Sequence, residues 1–363
     1  MPDKPKPIFV TAPTLAPLDE YAEILKSAWE SGILTHNGPL VQRLEKELKH
    51  HLQVKNLVAV TNGTIAMQMA IRALNVTGEI ITTPFTWIAT ASAIRWERCT
   101  PVFVDIDPET LNIDPTKIAE KITDQTTAIL PVHVFSNPCD VAAIEAIATK
   151  HQLKVIYDGA HAMDVEYEGR NLLEYGDISC VSFHATKLFN TGEGGACVTL
   201  DDGLDASLKR IRFFGYNEEK QVVDDGFNGK MTEVHAALGL ANLKYLSESK
   251  RKRREIFDQY HANLSDLDYI RFQKIIPDSY NYSYMPIIFD SEKRLLAVFN
   301  RLLENKIMAR RYFYPSLTEI QCLHRHDSTP ISDSIAATIL CLPSFNELTT
   351  NKIDEICSII RTG

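Results

Sequence analysis

The most constraining feature of the sequence is an alternation of short, strand-like runs with segments of helical periodicity between residues 57 and 200. Seven such runs occur: LVAV (57–60), EIITTP (79–84), PVFVDI (101–106), AILPVH (128–133), KVIYD (154–158), ISCVSF (178–183) and ACVTL (196–200). This alternation is typical of a mostly parallel sheet flanked by helices. We therefore predict an α/β fold in which ligands bind beyond the carboxyl ends of the strands.

The remainder of the chain predicts a smaller α+β domain. A helical pattern covers residues 232–264. It contains the basic run KRKRR (250–254), which we interpret as a solvent-exposed helix face. The segments that follow are a strand YSYMPIIF (282–289), a helix near 291–305, strands near 308–314 and at ILCLP (339–343), and a helix near 350–361. We place a large domain at 1–245 and a small C-terminal domain at 246–363.

Charge and cysteine content narrow the functional classes. The 363 residues carry a net charge of −9, which argues against nucleic acid as a partner. The sequence has no apolar run long enough to span a membrane, and its first residues lack the apolar core of a signal peptide. The seven cysteines include no C-x-x-C pair, which favours a cytoplasmic protein without disulfides. His324 and His326 lack further ligands, so no metal site is predicted.

Four of the predicted strands are followed by residues suited to binding a cofactor. Gly63 and Thr64 open a helix, and form either an anion-binding loop or an ordinary cap. Trp87 is either a stacking surface for a planar cofactor or a core aromatic residue. Asp158 is either a helix cap or the partner of a cation such as a pyridinium nitrogen. Lys187 is either a solvent-exposed lysine or a desolvated nucleophile that can form a Schiff base.

These features, in chain order, describe one cofactor site: a phosphate loop, an aromatic residue, an acid and a lysine. The glycine-rich segment GEGG (192–195) is not a dinucleotide-binding fingerprint, because it lacks the G-x-G-x-x-G spacing and precedes a strand. The segments DGAH (158–161), SFHATK (182–187) and GEGG resemble the core motifs of the DegT/StrS family. That family comprises fold-type I, pyridoxal-phosphate-dependent aminotransferases that act on nucleotide-linked keto-sugars.

The resemblance implies a role for each candidate residue. Lys187 would hold pyridoxal 5'-phosphate covalently, Asp158 would pair with the ring nitrogen, His161 would lie near the ring hydroxyl, and Trp87 would stack on the ring. The residues expected to bind the phosphate are Gly63, Thr64 and Ser182. Asn228 would reach the phosphate from a neighbouring subunit, which implies a homodimer with shared active sites.

The resemblance also implies a substrate. The segments IFVTAPTL (8–15) and GFNGKM (226–231) resemble those of family members that make dTDP-4-amino-4,6-dideoxy-D-glucose. Relatives often have arginine at the position of Lys230. Because lysine cannot make the bidentate contact of an arginine, the resemblance does not imply such a contact at this position. We expect amino transfer from L-glutamate to dTDP-4-keto-6-deoxy-D-glucose, through pyridoxamine phosphate, in deoxysugar and lipopolysaccharide O-antigen biosynthesis.

The sequence is also compatible with other functions. Within the family, the enzyme could aminate carbon 3 of the sugar or use a UDP-linked sugar. A sugar dehydratase on the same fold has histidine in place of the lysine, which Lys187 disfavours. In a different class, the chain could be a cofactor-binding regulator without catalysis. The acidic charge and the lack of room for a DNA-binding module disfavour that class.

Overall fold

The structure of the protein is a computed structural model that describes residues 6–323 and 327–362. His324 and His326 lie outside the described residues. Within these two ranges, no helix combines the length and the apolar character that crossing a lipid bilayer requires. No group of three or more histidine, cysteine, aspartate or glutamate side chains in the described part of the chain is placed to hold a metal ion.

The chain alternates helices and strands over most of its length. The helices are α1 (Leu18–Ser31), α2 (Pro39–Leu52), α3 (Gly63–Ala73), α4 (Ile88–Trp96), α5 (Val141–His151), α6 (Asp202–Arg212), α7 (Glu233–Leu243), α8 (Leu246–Leu264), α9 (Glu292–Glu304), α10 (Pro330–Thr338) and α11 (Thr350–Arg361). The strands are β1 (Ile8–Phe9), β2 (Asn56–Val60), β3 (Glu79–Thr82), β4 (Thr100–Phe103), β5 (Thr126–Ile129), β6 (Lys154–Asp158), β7 (Glu166–Tyr167), β8 (Arg170–Asn171), β9 (Ile178–Ser182), β10 (Gly195–Thr199), β11 (Ile270–Phe272), β12 (Pro286–Phe289), β13 (Ile307–Met308) and β14 (Ile339–Cys341).

A seven-stranded sheet forms the centre of the molecule, in the order β2-β10-β9-β6-β5-β3-β4. Its strands pair in parallel from β9 to β4, whereas β10 runs antiparallel to both of its neighbours. Separate apolar clusters contain Leu44 and Val181 on one side and Met69 and Cys180 on the other. Because Val181 and Cys180 are adjacent in β9, their opposite directions place one core on each face of the sheet. The predicted α/β fold is confirmed.

The helical segment predicted at 232–264 differs from the structure in two respects. The segment forms two helices, because Tyr245, with φ −103° and ψ 1°, leaves helical geometry between α7 and α8. The basic run is not wholly solvent-exposed. Arg253 is buried, with the α8 residues Ser249, Ile256 and Tyr260 on the same side of the helix. The spacings of four, three and four residues align these positions on one helix face, and composition alone does not reveal this alignment.

The C-terminal part of the chain builds a three-stranded antiparallel sheet, β11-β12-β14. An apolar core between this sheet and helices α8, α9 and α11 includes Tyr260, Leu295 and Ile356. The strand predicted near 308–314 is limited to β13, which pairs in parallel with β1 at the start of the chain. We keep the domain division at 245/246 as a proposal.

A buried ion pair protects the edge of the large sheet at β2. The carboxylate of Glu45 accepts a hydrogen bond from the Ala59 amide at 2.9 Å, and the Arg212 guanidinium donates to the Ala59 carbonyl at 2.8 Å. Glu45 and Arg212 also pair with each other at 2.5 Å, with 11% and 4% of their side chains exposed. The backbone amide and carbonyl of Ala59 on this edge strand are therefore satisfied by side chains.

We predict that Arg212→Met destabilises the protein, because it leaves the Glu45 carboxylate buried without its partner. The free energy of unfolding should fall by about 3 kcal/mol, measured by urea denaturation. The matched control is Arg254→Met, since Arg254 has 65% of its side chain exposed. Arg254→Met should lower the free energy of unfolding by no more than about 0.5 kcal/mol. Equal stability of the two variants would show that the ion pair does not protect the sheet edge.

Candidate active site

A cavity of about 440 Å³ lies at the carboxyl-end edge of the large sheet. The loops that follow β2, β3, β6 and β9 all open at this edge, because these strands run in the same direction and β10 starts there. The predicted site residues that line the cavity are Gly63, Thr64, Trp87, Asp158, His161, Ser182 and Lys187. The sheet thus brings together seven of the eight predicted residues.

Asn228 is the exception. It lies in the segment before α7, is exposed, and is not among the residues that line the cavity of its own chain. Its neighbour Lys230 also stays outside the cavity lining: the ammonium packs 4.2 Å from the centre of the Phe214 ring. The role of Asn228 in a second subunit stays a prediction.

The start of α3 forms one wall of the cavity. The Asn62 side chain caps the helix by accepting a hydrogen bond from the Ile65 amide at 2.9 Å. The amides of Gly63 and Thr64 come earlier in the helix, where no intrahelical carbonyl is available to them. Free amides and the positive end of the helix dipole favour an anion at this position.

Glycines allow two further loops to approach this helix terminus. A Cβ atom on Gly63 would lie 3.0 Å from the Cβ of Ser182, at the end of β9. A Cβ atom on Gly195 would lie 2.7 Å from the Gly63 amide nitrogen. The last glycine of the GEGG segment therefore serves the close approach of β10 to the loop that opens α3, and Ser182 is held beside that loop.

Lys187 reaches the cavity from the loop after β9. Its Nζ donates a hydrogen bond to the Tyr284 hydroxyl at 3.0 Å. Desolvation lowers the pKa of this lysine to about 8, although the negative charge of Asp158 partly opposes the shift. The neutral amine is therefore far more accessible near neutral pH than it is for an ordinary lysine.

Asp158, the last residue of β6, is 5% exposed. One carboxylate oxygen accepts a hydrogen bond from the Thr90 hydroxyl at 2.7 Å, and the other from the Ala160 amide at 3.1 Å. Burial raises the pKa of this carboxyl, while the two hydrogen bonds and Lys187 oppose the increase. Asp158 forms no ion pair with any residue that the structure describes, so a cation placed in the cavity would stabilise this buried carboxylate.

His161 is a neutral hydrogen-bond donor at this site. Its Nδ1 accepts a hydrogen bond from the Phe135 amide at 3.1 Å, so the ring proton is on Nε2. Burial holds the pKa of His161 well below its ordinary value, and the charge of Lys187 lowers it further. The ring lines the cavity as an uncharged N–H donor.

Two aromatic residues and an arginine, Trp87, Tyr312 and Arg310, line another part of the cavity. Trp87, 49% exposed, meets Tyr312 edge to face at 6.3 Å between ring centres. The Arg310 guanidinium carbon lies 5.2 Å from the centre of Trp87 and 4.6 Å from the centre of Tyr312. Among the described residues, no carboxylate forms an ion pair with Arg310, which leaves this cation available at the cavity wall.

Three residues of the site were not predicted from the sequence. Thr90, in the first turn of α4, lies four residues after Thr86, and the two hydroxyls are 2.9 Å apart, so this spacing was an available signal. Tyr284 and Arg310 lie in the strands predicted at 282–289 and near 308–314, but neither residue was predicted to belong to the site. No local pattern indicates that they reach the large sheet.

Residues 18–361 match the DegT/DnrJ/EryC1/StrS aminotransferase family, so the chain belongs to this family. The expected family and enzyme class are confirmed. The chain is 44% identical to a dTDP-4-amino-4,6-dideoxy-D-glucose transaminase of Shigella dysenteriae, with 98% of this chain and 99% of the relative covered. A transaminase of the same name from Escherichia coli is 38% identical, with 98% of each chain covered.

Solved structures agree with the fold. DesI, solved in the presence of its TDP-sugar product, matches with a TM-score of 0.93 and 31% identity, over 99% of this chain and 93% of DesI. The ntda protein from Bacillus subtilis, with bound cofactor PMP, matches with a TM-score of 0.87 and 27% identity, over 95% of this chain and 81% of that one. Family and structural neighbours thus imply a pyridoxal-phosphate-dependent enzyme.

The low pKa of Lys187 predicts an unusual pH dependence of its reactivity. In the cofactor-free protein, labelling of Lys187 by an amine-specific reagent should increase with pH around a midpoint near 8, because only the neutral amine reacts. Mass spectrometry of the peptide that contains Lys187 measures the extent of labelling. In urea-unfolded protein the same lysine should return to a midpoint near 10.5. A midpoint near 10 in the folded protein would contradict its desolvation.

Proposed function

We propose that the protein transfers an amino group from L-glutamate to dTDP-4-keto-6-deoxy-D-glucose with pyridoxal 5'-phosphate as cofactor, and forms dTDP-4-amino-4,6-dideoxy-D-glucose. The observation that carries the proposal is the presence of Lys187 and the buried Asp158 in one cavity of a chain of this family. Full-length similarity to two transaminases named for this product supports the choice of sugar. GDP-perosamine synthase of Escherichia coli O157:H7 is less similar, at 32% identity.

The cavity residues fit the chemical groups of the cofactor. The close contact between Gly63 and Ser182 forms a cradle beside the start of α3, with the donors that a phosphate requires. Asp158 is a buried carboxylate suited to a protonated pyridine nitrogen, and His161 offers a neutral N–H donor to a ring oxygen. Trp87 provides an exposed aromatic face in the same cavity.

When bound, pyridoxal phosphate supplies an electron sink that takes up the electron pair released when a carbon–hydrogen bond of the substrate breaks. Lys187 serves as the general base and acid. Its neutral amine accepts the proton from the α-carbon of glutamate, and the resulting ammonium can then donate one. Desolvation suits Lys187 to both roles, because a pKa of about 8 makes both protonation states accessible near neutral pH.

Asp158 provides the negative charge that offsets a positive charge on the ring of the bound cofactor. Its negative charge favours a cationic ring nitrogen, and the Thr90 hydroxyl and Ala160 amide hold its two oxygens in fixed positions.

We assign Asn228 to the phosphate of a second subunit in a homodimer. Its exposure on the single chain supports this assignment, since the residue is available to a neighbour.

The direct test is incubation of the purified protein with dTDP-4-keto-6-deoxy-D-glucose, L-glutamate and pyridoxal phosphate, followed by NMR of the sugar product. We expect an amino group at carbon 4. Borohydride treatment of the loaded protein should attach the cofactor to Lys187, as detected by mass spectrometry, and Lys187→Ala should abolish both label and turnover. Amination at carbon 3, or turnover only with a UDP-linked sugar, would favour an alternative within the family. Cofactor binding without turnover of any keto-sugar would favour a regulator.

Arg310 is predicted to bind a carboxylate of glutamate, because it is a cavity-lining cation without a described acidic partner. Arg310→Gln should lower kcat/KM for glutamate about 10- to 100-fold and change KM for the nucleotide sugar by less than about threefold. Steady-state kinetics with each substrate varied in turn measures both effects. The matched control is Arg254→Gln, which removes an exposed arginine of the basic run and should leave both constants unchanged. A selective increase in KM for the sugar would instead assign Arg310 to the pyrophosphate.

A further inference from the structure

We propose that Tyr284 is an additional catalytic residue, whose hydroxyl holds the Lys187 amine in position while that amine exchanges protons with the substrate. This inference rests on the proposed aminotransferase function. Tyr284 belongs to none of the motifs that carry the family resemblance, and it enters the site from the segment just before β12.

The contact between Tyr284 and Lys187 is direct. The hydroxyl oxygen lies 3.0 Å from Nζ, and it is the hydrogen-bond partner of that amine within the described residues. Asp158 influences Lys187 by longer-range attraction, without an ion pair at contact distance among the described residues. The direction in which the amine points is therefore fixed by the tyrosine oxygen.

Neighbouring rings enclose the side chain of Tyr284. The His161 ring centre lies 4.5 Å away and the Phe135 ring centre 5.2 Å away, while Tyr312 meets it edge to face at 6.1 Å. Tyr284 is 8% exposed. A ring packed on these sides cannot change rotamer freely, so its oxygen occupies a defined position, as a group that orients a reacting atom requires.

A hydroxyl suits a partner that changes its protonation state. It accepts a hydrogen bond from the ammonium form of lysine and can donate one to the neutral amine. Burial raises the pKa of Tyr284 above the ordinary value of 10, so the phenol stays neutral while Lys187 titrates. Tyr284 thus supports both states of the base without adding charge, and it neither takes up nor gives up the proton that Nζ accepts and then donates.

Tyr284→Phe tests this role because it keeps the enclosed ring and removes only the oxygen. The matched control is Tyr260→Phe. Tyr260 is also buried, but it lies in the C-terminal core and its hydroxyl has no hydrogen-bond partner among the described residues. If Tyr284 only packs against its neighbours, neither variant should change the reactivity of Lys187 much. If the hydroxyl oxygen holds Lys187, only Tyr284→Phe should change it.

The first measurement uses cofactor-free protein and does not depend on activity. Loss of the hydroxyl removes the acceptor that stabilises the Lys187 ammonium. The pH midpoint for labelling this lysine should therefore fall by about 0.5–1 unit below that of the wild type in Tyr284→Phe. It should stay unchanged in Tyr260→Phe. An unchanged midpoint in Tyr284→Phe would overturn the proposed contact.

The second measurement is the single-turnover rate of amino transfer from glutamate to the loaded protein. Tyr284→Phe should lower this rate about 10- to 100-fold, with KM for the nucleotide sugar unchanged within about twofold. Deuterium at the glutamate α-carbon should slow the reaction, which identifies proton transfer as the step observed. A wild-type rate in Tyr284→Phe, or an equal loss in Tyr260→Phe, would overturn the catalytic role.

The two measurements also separate this inference from the proposed function. A wild-type protein that transfers no amino group to any keto-sugar would overturn the proposed function and the catalytic role of Tyr284 together. The labelling midpoint would still decide whether the hydroxyl holds Lys187.

Discussion

The desolvation of Lys187 is the physical constraint on which the site depends. A buried ammonium is costly unless it is paired, and the ordinary solution is a carboxylate in contact with it. Here the contact partner is the neutral hydroxyl of Tyr284, and the Asp158 carboxylate acts on Lys187 without an ion pair at contact distance. A contact ion pair would stabilise the charged lysine, whereas this arrangement lowers its pKa to about 8 and makes the neutral amine accessible.

The same principle explains the surroundings of Asp158. Its oxygens accept hydrogen bonds from a hydroxyl and a backbone amide, which are dipoles rather than charges. Dipoles reduce the cost of burying the carboxylate without neutralising it. The cavity therefore keeps an acid and a base close enough to influence each other but not joined in an ion pair, and each remains available to a ligand.

The sequence predicted the parts of the structure that depend on local patterns. The seven strands of the large sheet follow from apolar runs, and most of the predicted residues meet in one cavity because each ends or follows a strand with the same direction. Sequence reasoning failed where the outcome depends on tertiary contacts. Arg253 appears as one charge in a basic run, but it is buried by the helix face that it shares with Ile256 and Tyr260. Tyr284 and Arg310 reach the cavity from distant segments, and no local pattern encodes that approach.

The contribution of these distant segments has a consequence for how the site is assembled. Lys187 lies in the loop after β9 of the large sheet. The Tyr284 hydroxyl that holds its amine comes from the segment that leads into β12 of the small antiparallel sheet. The Tyr284 ring in turn packs against Phe135 and His161, which lie in the segments that follow β5 and β6. Phe135 and Tyr284 belong to one apolar cluster, so the two parts of the chain share packing around the cavity. A change in how the C-terminal part packs would move the tyrosine oxygen relative to Nζ. Because a hydrogen bond weakens within a few tenths of an ångström, such a change would alter the basicity of Lys187 without touching it directly. The reactivity of the lysine is thus set by the packing of both parts of the chain.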